Sequence, residues 1–293
     1  MMRKSVIVLA VAMVLAGALR WSQAVKAAST VYIYGNNVGT TGIFKMDPTT
    51  LAVVDTYNGL SAGNGRGVVV VGPTVYYTDA SSPNVYSYNA TTHHNNGVVF
   101  TKSGVTGLSA IAYDGTNLWV NDYSGTNQAF YYSLTGTLLK TINLANESTY
   151  TDGFEFYLKG GTTPTLIANR ADGCCTNPTI YDLYDLNGNV TTSAFITVPN
   201  QSTGIAYNGT NFYTSNIDLA SVNQYNGATG AFISTTTITG GSAFIEDLSA
   251  DYAIVLNNPP PTTPAPSTLG LVLGGMLLLL LGSKMFRRKQ SAA

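Results

Sequence analysis

The chain has 293 residues, with 14 Lys+Arg against 15 Asp+Glu for a formal charge of −1; only 10% of residues are charged and 45% are hydrophobic. A charged fraction well under the roughly 25% of ordinary soluble domains, beside that much core material, argues against intrinsic disorder. Near neutrality without a central Lys/Arg cluster argues against a nucleic-acid partner, and two Cys are too few for a disulfide scaffold or a Cys-based zinc site.

Met1 to Lys4 is a short basic stretch, and Ser5 to Leu19 is apolar and uncharged, followed after Arg20 by small residues within Ser22-Gln23-Ala24 and Val25-Lys26-Ala27. This is the layout of a secretory signal peptide, with an apolar run too short to span a bilayer comfortably. Residues 1–27 are therefore expected to direct export, with cleavage after Ala24 or Ala27.

From residue 28 to 257 there is no helical periodicity. Short runs rich in Tyr, Val, Ile, Thr and Phe alternate with Asn-Gly, Asp-Gly and Thr-Gly turns, the pattern of strands and hairpins. Ile111-Ala112-Tyr113-Asp114-Gly115-Thr116-Asn117-Leu118-Trp119 matches Ile205-Ala206-Tyr207-Asn208-Gly209-Thr210-Asn211-Phe212-Tyr213 at an offset of 94 residues. A second anchor, an apolar or aromatic residue just before a turn, recurs at Met46, Tyr88, Tyr132, Tyr184 and Tyr225, at intervals of 42, 44, 52 and 41 residues. A period in the forties with about four strands per unit predicts an all-β fold, a β-propeller.

Within one unit the expected strands are Leu108 to Tyr113, Asn117 to Asn121, Ala129 to Ser133 and Thr137 to Ile142. The first unit starts at its second strand, Val31 to Tyr34, and the missing innermost strand is supplied by Phe244 to Leu248, which closes the ring. Five blades result, with Tyr252 to Leu256 as a surplus strand; a six-bladed ring with a degenerate last blade is the alternative. The segment Ala112 to Val120 resembles the hairpins of the YVTN and NHL-like extracellular propellers, a likeness of architecture that implies no particular activity.

Propeller sites form where the inner strands converge. Asp152, Glu155, Glu246 and Asp247 are placed there and could hold Ca²⁺ in a lactonase- or lyase-type enzyme. The alternative leaves them as solvated turn and edge residues. Cys174 and Cys175 are adjacent, and in an oxidising compartment a vicinal disulfide is expected. His93 and His94, the only two His, lie in a polar hairpin loop without a spaced third ligand, so His-dependent catalysis has almost no support. The 19 Tyr, with Trp119, could offer sugar platforms as in a propeller lectin, or simply pack the sheets.

Residues 258–268 are a Pro/Thr-rich linker, too Pro-dense for a helix or inner strand. Within 269–293, the apolar run from Leu269 to Gly282 is closed by Lys284, Arg287, Arg288 and Lys289, as in a short transmembrane helix with a cytoplasmic basic end. Pro264-Ala265-Pro266, the apolar run and Arg287-Arg288-Lys289 together resemble the tripartite PEP-CTERM sorting signal. The resemblance covers about the last 30 residues. It implies an exosortase-type processing enzyme as partner, inner-membrane anchoring before processing, and association with the cell surface or exopolysaccharide. Ala265 stands where that signal carries Glu, and without cleavage the protein would stay a single-span anchored ectodomain.

Charge segregates with this organisation. Only six basic residues, but all 15 acidic ones, lie between the two terminal signals, so the body carries −9. The expected product is an anionic, exported propeller acting as a binding or structural module.

Overall fold

The computed structural model describes residues 30–37, 42–147, 151–170, 178–241 and 244–250. The signal peptide, Cys174 and Cys175, the surplus strand, the Pro264-Ala265-Pro266 linker, the transmembrane run and the basic tail all lie outside the described residues.

Alternating apolar and polar residues between Gly- and Asx-rich turns produce twenty strands and, among the described residues, no helix. Blade 1 contains β1 (Ile33–Asn37), β2 (Gly42–Met46) and β3 (Val53–Tyr57). Blade 2 is β4 (Gly65–Val71), β5 (Thr74–Asp79), β6 (Ser82–Asn89) and β7 (His94–Thr101). Blade 3 is β8 (Leu108–Tyr113), β9 (Leu118–Asp122), β10 (Gln128–Tyr132) and β11 (Leu138–Asn143). Blade 4 is β12 (Phe154–Lys159), β13 (Thr163–Asn169), β14 (Thr179–Tyr184) and β15 (Val190–Val198). Blade 5 is β16 (Ile205–Tyr207), β17 (Asn211–Asn216), β18 (Ser221–Asn226) and β19 (Phe232–Thr237).

The last strand, β20 (Ile245–Ala250), pairs antiparallel with β1, in the order β20-β1-β2-β3. Five four-stranded antiparallel sheets result, and their first strands pack against one another in a propeller arrangement. The ring is closed through blade 1, as the sequence permutation predicts, and it has five blades. A second clasp joins blades 5 and 1 near the perimeter: Ala52 and Thr239 form a parallel bridge, with the Val53 amide donating to the Thr239 carbonyl at 2.9 Å.

The five anchors stand at the last or next-to-last position of the third strand of each blade and are all buried: Met46, Tyr88, Tyr132, Tyr184 and Tyr225. Four of them are followed by Asp or Asn whose side-group oxygen accepts amides two to four residues on. Asp47 takes those of Thr49 and Thr50, Asn89 those of Thr91 and Thr92, Asp185 those of Asn187 and Asn189, and Asn226 those of Ala228 and Thr229. An Asx turn folds the backbone back locally, so a buried apolar residue followed by Asx fixes both the end of the strand and the start of the hairpin. In blade 3 the Ser133 hydroxyl takes this role, accepting from the Thr137 amide at 3.0 Å.

Every pairing of third with fourth strand also carries a register shift. Such bulges increase local twist and break up the outer edges against sheet-to-sheet association. The turns also explain small differences in strand limits. Asn117 donates its amide to Asp114 at 2.8 Å, so β9 starts one residue later than the sequence suggests. Thr137 is likewise taken into its turn.

Candidate functional site

Register brings five pentapeptides into equivalence at the start of the inner strands: Arg66 to Val70, Ser109 to Tyr113, Asp152 to Phe156, Thr203 to Tyr207 and Glu246 to Ala250. Their first residues recur at intervals of 43, 43, 51 and 43. Those first residues, Arg66, Ser109, Asp152, Thr203 and Glu246, form a buried ring around the axis. Each second position is small or tightly packed. A Cβ on Gly204 would lie 2.5 Å from the Asp247 Cα, and one on Gly67 would lie 2.5 Å from the Ser109 carbonyl oxygen. Glycine is needed there because adjacent blades approach backbone to backbone.

Hydrogen bonds link the ring from blade to blade. The Asn36 amide donates to the Gly67 carbonyl at 2.9 Å, the Thr78 hydroxyl to the Ser109 carbonyl, and the Ser109 hydroxyl to the Thr151 carbonyl. Tyr181 reaches the Gly204 carbonyl at 3.3 Å, and Thr203 donates to the Ile245 carbonyl at 3.2 Å, completing the circuit.

The four carboxylates singled out in the sequence all lie in this hub, and all four are buried. The reading that leaves them as solvated turn and edge residues is corrected. Glu155, Glu246 and Asp247 belong to innermost strands, Asp152 lies two residues before β12, and neighbouring blades cover all four. Arg66, which the sequence reading did not single out, lies across the ring. Its Nη1 donates to Glu246 and stands 3.8 Å from Asp152. Its Nη2 donates to the Tyr123 hydroxyl at 3.0 Å, and the guanidinium lies 4.7 Å from the centroid of the same ring. One cation thus engages two carboxylates from two other blades and is covered by a Tyr from a third.

Asp247 and Glu155 lie beyond this ion cluster and interact electrostatically with each other. Burial pushes Glu155 up to about 8, against the pull of the Phe156 and Tyr207 amides. Burial likewise pushes Asp247 well above the usual carboxylate range, although the Val68 amide donates to it at 3.1 Å. Glu155 therefore keeps its proton to higher pH than an exposed carboxyl would, and Asp247 is shifted in the same direction. Of the four acids in the hub, Asp152 and Glu246 thus face the one guanidinium, while burial works against ionisation of Glu155 and Asp247. Among the described residues, no three His, Cys, Asp or Glu side groups come together as a metal-holding cluster.

A second buried polar cluster lies in blade 4. Arg170 grips Asp182 with two hydrogen bonds, from Nε at 2.8 Å and Nη2 at 2.9 Å. Burial opposes ionisation of Asp182, yet Arg170, the Ala194 amide and Asn146 together hold its carboxyl below the usual range. Beside it, Glu147 accepts from Tyr184 at 2.6 Å and from Thr151 at 2.8 Å, and burial pushes it up to about 8. The sequence signal for this cluster was weak, because its members come from separate strands and the β11–β12 connection.

The remaining predicted groups lie away from the hub. His93 sits in the β6–β7 turn at φ 53, half exposed, 3.5 Å from Asp55 and edge-on to Tyr57 and Tyr88. His94 is exposed at the start of β7. Trp119 is buried and stacks on Tyr131 at 4.5 Å, while Tyr77, Tyr88, Tyr157, Tyr181, Tyr184 and Tyr225 belong to the core. These aromatics pack blades and do not form exposed platforms.

No protein-family model matches the sequence, and no curated protein matches it. Among solved structures the fold is similar to that of a protein in a nidogen/laminin complex, with a TM-score of 0.55 and 11% identity, covering 76% of this chain and 99% of that one. Other similarities are to Myxococcus xanthus glutaminyl cyclase, with a TM-score of 0.43 and 11% identity over 69% of this chain and 76% of that one, and to the computationally designed Ika4 protein, with a TM-score of 0.38 and 12% identity over 61% and 98%. The first is a likeness of fold alone.

Proposed function

We propose that this protein is an exported, non-enzymatic β-propeller that serves as a binding or structural module at the cell surface or in the exopolysaccharide. The observation that carries the non-enzymatic part is Arg66. It occupies the point where Asp152 and Glu246 would otherwise face an incoming cation. The lactonase- or lyase-type alternative needs those carboxylates, with Glu155 and Asp247, to surround Ca²⁺, whereas an internal guanidinium already engages two of them and burial disfavours the charged form of the others. Calorimetric titration of the purified protein with Ca²⁺ tests this reading. No binding heat and an unchanged Tm are expected; saturable binding that shifts the Tm would revive the enzyme reading.

The delivery part rests on the sequence of the two ends. Residues 1–27 act as the export signal, and Pro264-Ala265-Pro266, the apolar run and Arg287-Arg288-Lys289 act as the PEP-CTERM-like signal read by an exosortase-type enzyme. Fractionation with intact-mass measurement of the mature protein checks it. A membrane or surface pool lacking the signal peptide is expected, and full-length protein confined to the cytoplasm would overturn it. Replacing Arg287, Arg288 and Lys289 together should deplete that pool.

A further inference from the structure

The sequence contains six Asn-Gly pairs: Asn58-Gly59, Asn64-Gly65, Asn96-Gly97, Asn187-Gly188, Asn208-Gly209 and Asn226-Gly227. Asn-Gly is the dipeptide most prone to intramolecular imide formation, because a following glycine leaves its backbone nitrogen unshielded. The reaction needs two freedoms: the nitrogen must be able to turn toward the Asn side group, and the Asn carboxamide must be able to swing to meet it. Local hydrogen bonds remove one or both.

Five of the pairs are restrained. Gly65 lies in β4 opposite Asp79, with the Asn64 carbonyl accepting from Ala80 at 3.0 Å. Gly97 lies inside β7 and donates its nitrogen to Asn95 at 3.0 Å. The Gly188 nitrogen donates to the Asp185 carbonyl at 3.1 Å, and the Gly227 nitrogen to the Thr210 carbonyl at 3.1 Å. The Asn208 carboxamide accepts from the Thr210 and Asn211 amides at 3.0 and 2.9 Å and donates to the Tyr213 hydroxyl at 3.0 Å.

Asn58-Gly59 differs on every count. Both residues are exposed and lie outside any strand, in the connection from β3 to β4. Gly59 has φ 73, with nothing within 4 Å of where a Cβ would stand. Among the described residues, neither the Asn58 carboxamide nor the Gly59 nitrogen makes a hydrogen bond. The loop is fixed just beyond, where Asn95 donates to the Gly59 carbonyl at 3.0 Å and to Ser61 at 2.9 Å.

We infer that Asn58 is the protein's site of spontaneous deamidation and isomerisation. The Gly59 nitrogen loses its proton to solvent and bonds to Asn58 Cγ; the Cγ–Nδ2 bond breaks and ammonia leaves. Water then opens the cyclic imide at either carbonyl, giving Asp or isoaspartate, and no oxidant or reductant is needed. The product adds a negative charge to an already acidic body. The isoaspartate form also reroutes the backbone through the former side group, directly before the Asn95 brace between blades 1 and 2. On an exported protein that outlives its synthesis, this residue would record age.

Incubation of the detergent-solubilised full-length protein at mildly alkaline pH, followed by peptide mapping for the amide-to-acid mass gain and for isoaspartate, tests the inference. Conversion at Asn58 should run several-fold ahead of the other five pairs in the folded protein, and all six should convert at comparable rates in urea. Asn58→Gln should abolish the leading product without changing the Tm. Equal or faster conversion at Asn208 or Asn226 in the folded protein, or an intact Asn58 amide after the urea sample has converted, would overturn it.

Discussion

The hub and the perimeter follow the same repeat but use it differently. At the perimeter the five anchors are Met or Tyr, each followed by a residue whose polar side group closes the turn. At the hub the equivalent positions hold Arg, Ser, Asp, Thr and Glu, so one geometric position carries five chemistries. The uniform position serves the blade, which must be built five times. The varied position serves the whole ring, because charges there are balanced between blades rather than within one.

That contrast predicts where substitutions hurt. Arg66→Ala leaves Glu246 and Asp152 buried without their cation and should cost about 3–5 kcal/mol in a denaturant melt at neutral pH. A loss below about 1 kcal/mol, as for exposed ion pairs, would mean that the hub is solvated. At the perimeter, Met46→Ala should cost about 2–5 kcal/mol, as for other fully buried large-to-small changes. A near-neutral result would show that an anchor can be lost from one blade without affecting the ring.

The next effect is in pH dependence. Glu155 has a folded value near 8, above its ordinary 4.5. Between these values the unfolded state has released a proton that the folded state keeps, so stability falls as pH rises across that window and levels off above about 8. Glu155→Gln should flatten this slope, and Glu147→Gln should do the same in blade 4. An unchanged slope in both variants would remove burial as the cause. Smallest of all, Asn226→Ala removes the acceptor for two exposed turn amides and should cost about 1 kcal/mol.

How much could be read in advance also divides between hub and perimeter. The anchors were legible because each is a local event, an apolar residue and an Asx turn within a few positions. Ring closure was legible because the first unit lacks an inner strand and the last segment is one. The acids of the hub were found by residue type. Arg66 was not, because its partner Glu246 lies 180 residues away and nothing near Arg66 in sequence signals an ion pair. Ser109 and Thr203 were passed over for a related reason: the nine-residue match begins two positions later, at Ile111 and Ile205, and a search for carboxylates sees neither hydroxyl. Aligning the inner strands by the small second residue that four of them share, Gly67, Ala110, Gly153 and Gly204, would have exposed four of the five ring positions. The blade 4 cluster around Asp182 depends on a bulge that aims the Ala194 amide from φ 50, which no local pattern announces.

The central claim, that Arg66 and the acids of other blades neutralise one another across the axis, is tested most directly by a double-mutant cycle on Arg66→Met and Glu246→Gln, read from equilibrium unfolding at neutral pH. The account predicts strong non-additivity: the double variant should be more stable than Arg66→Met alone, because removing the second charge relieves the first loss. Additive losses would contradict it.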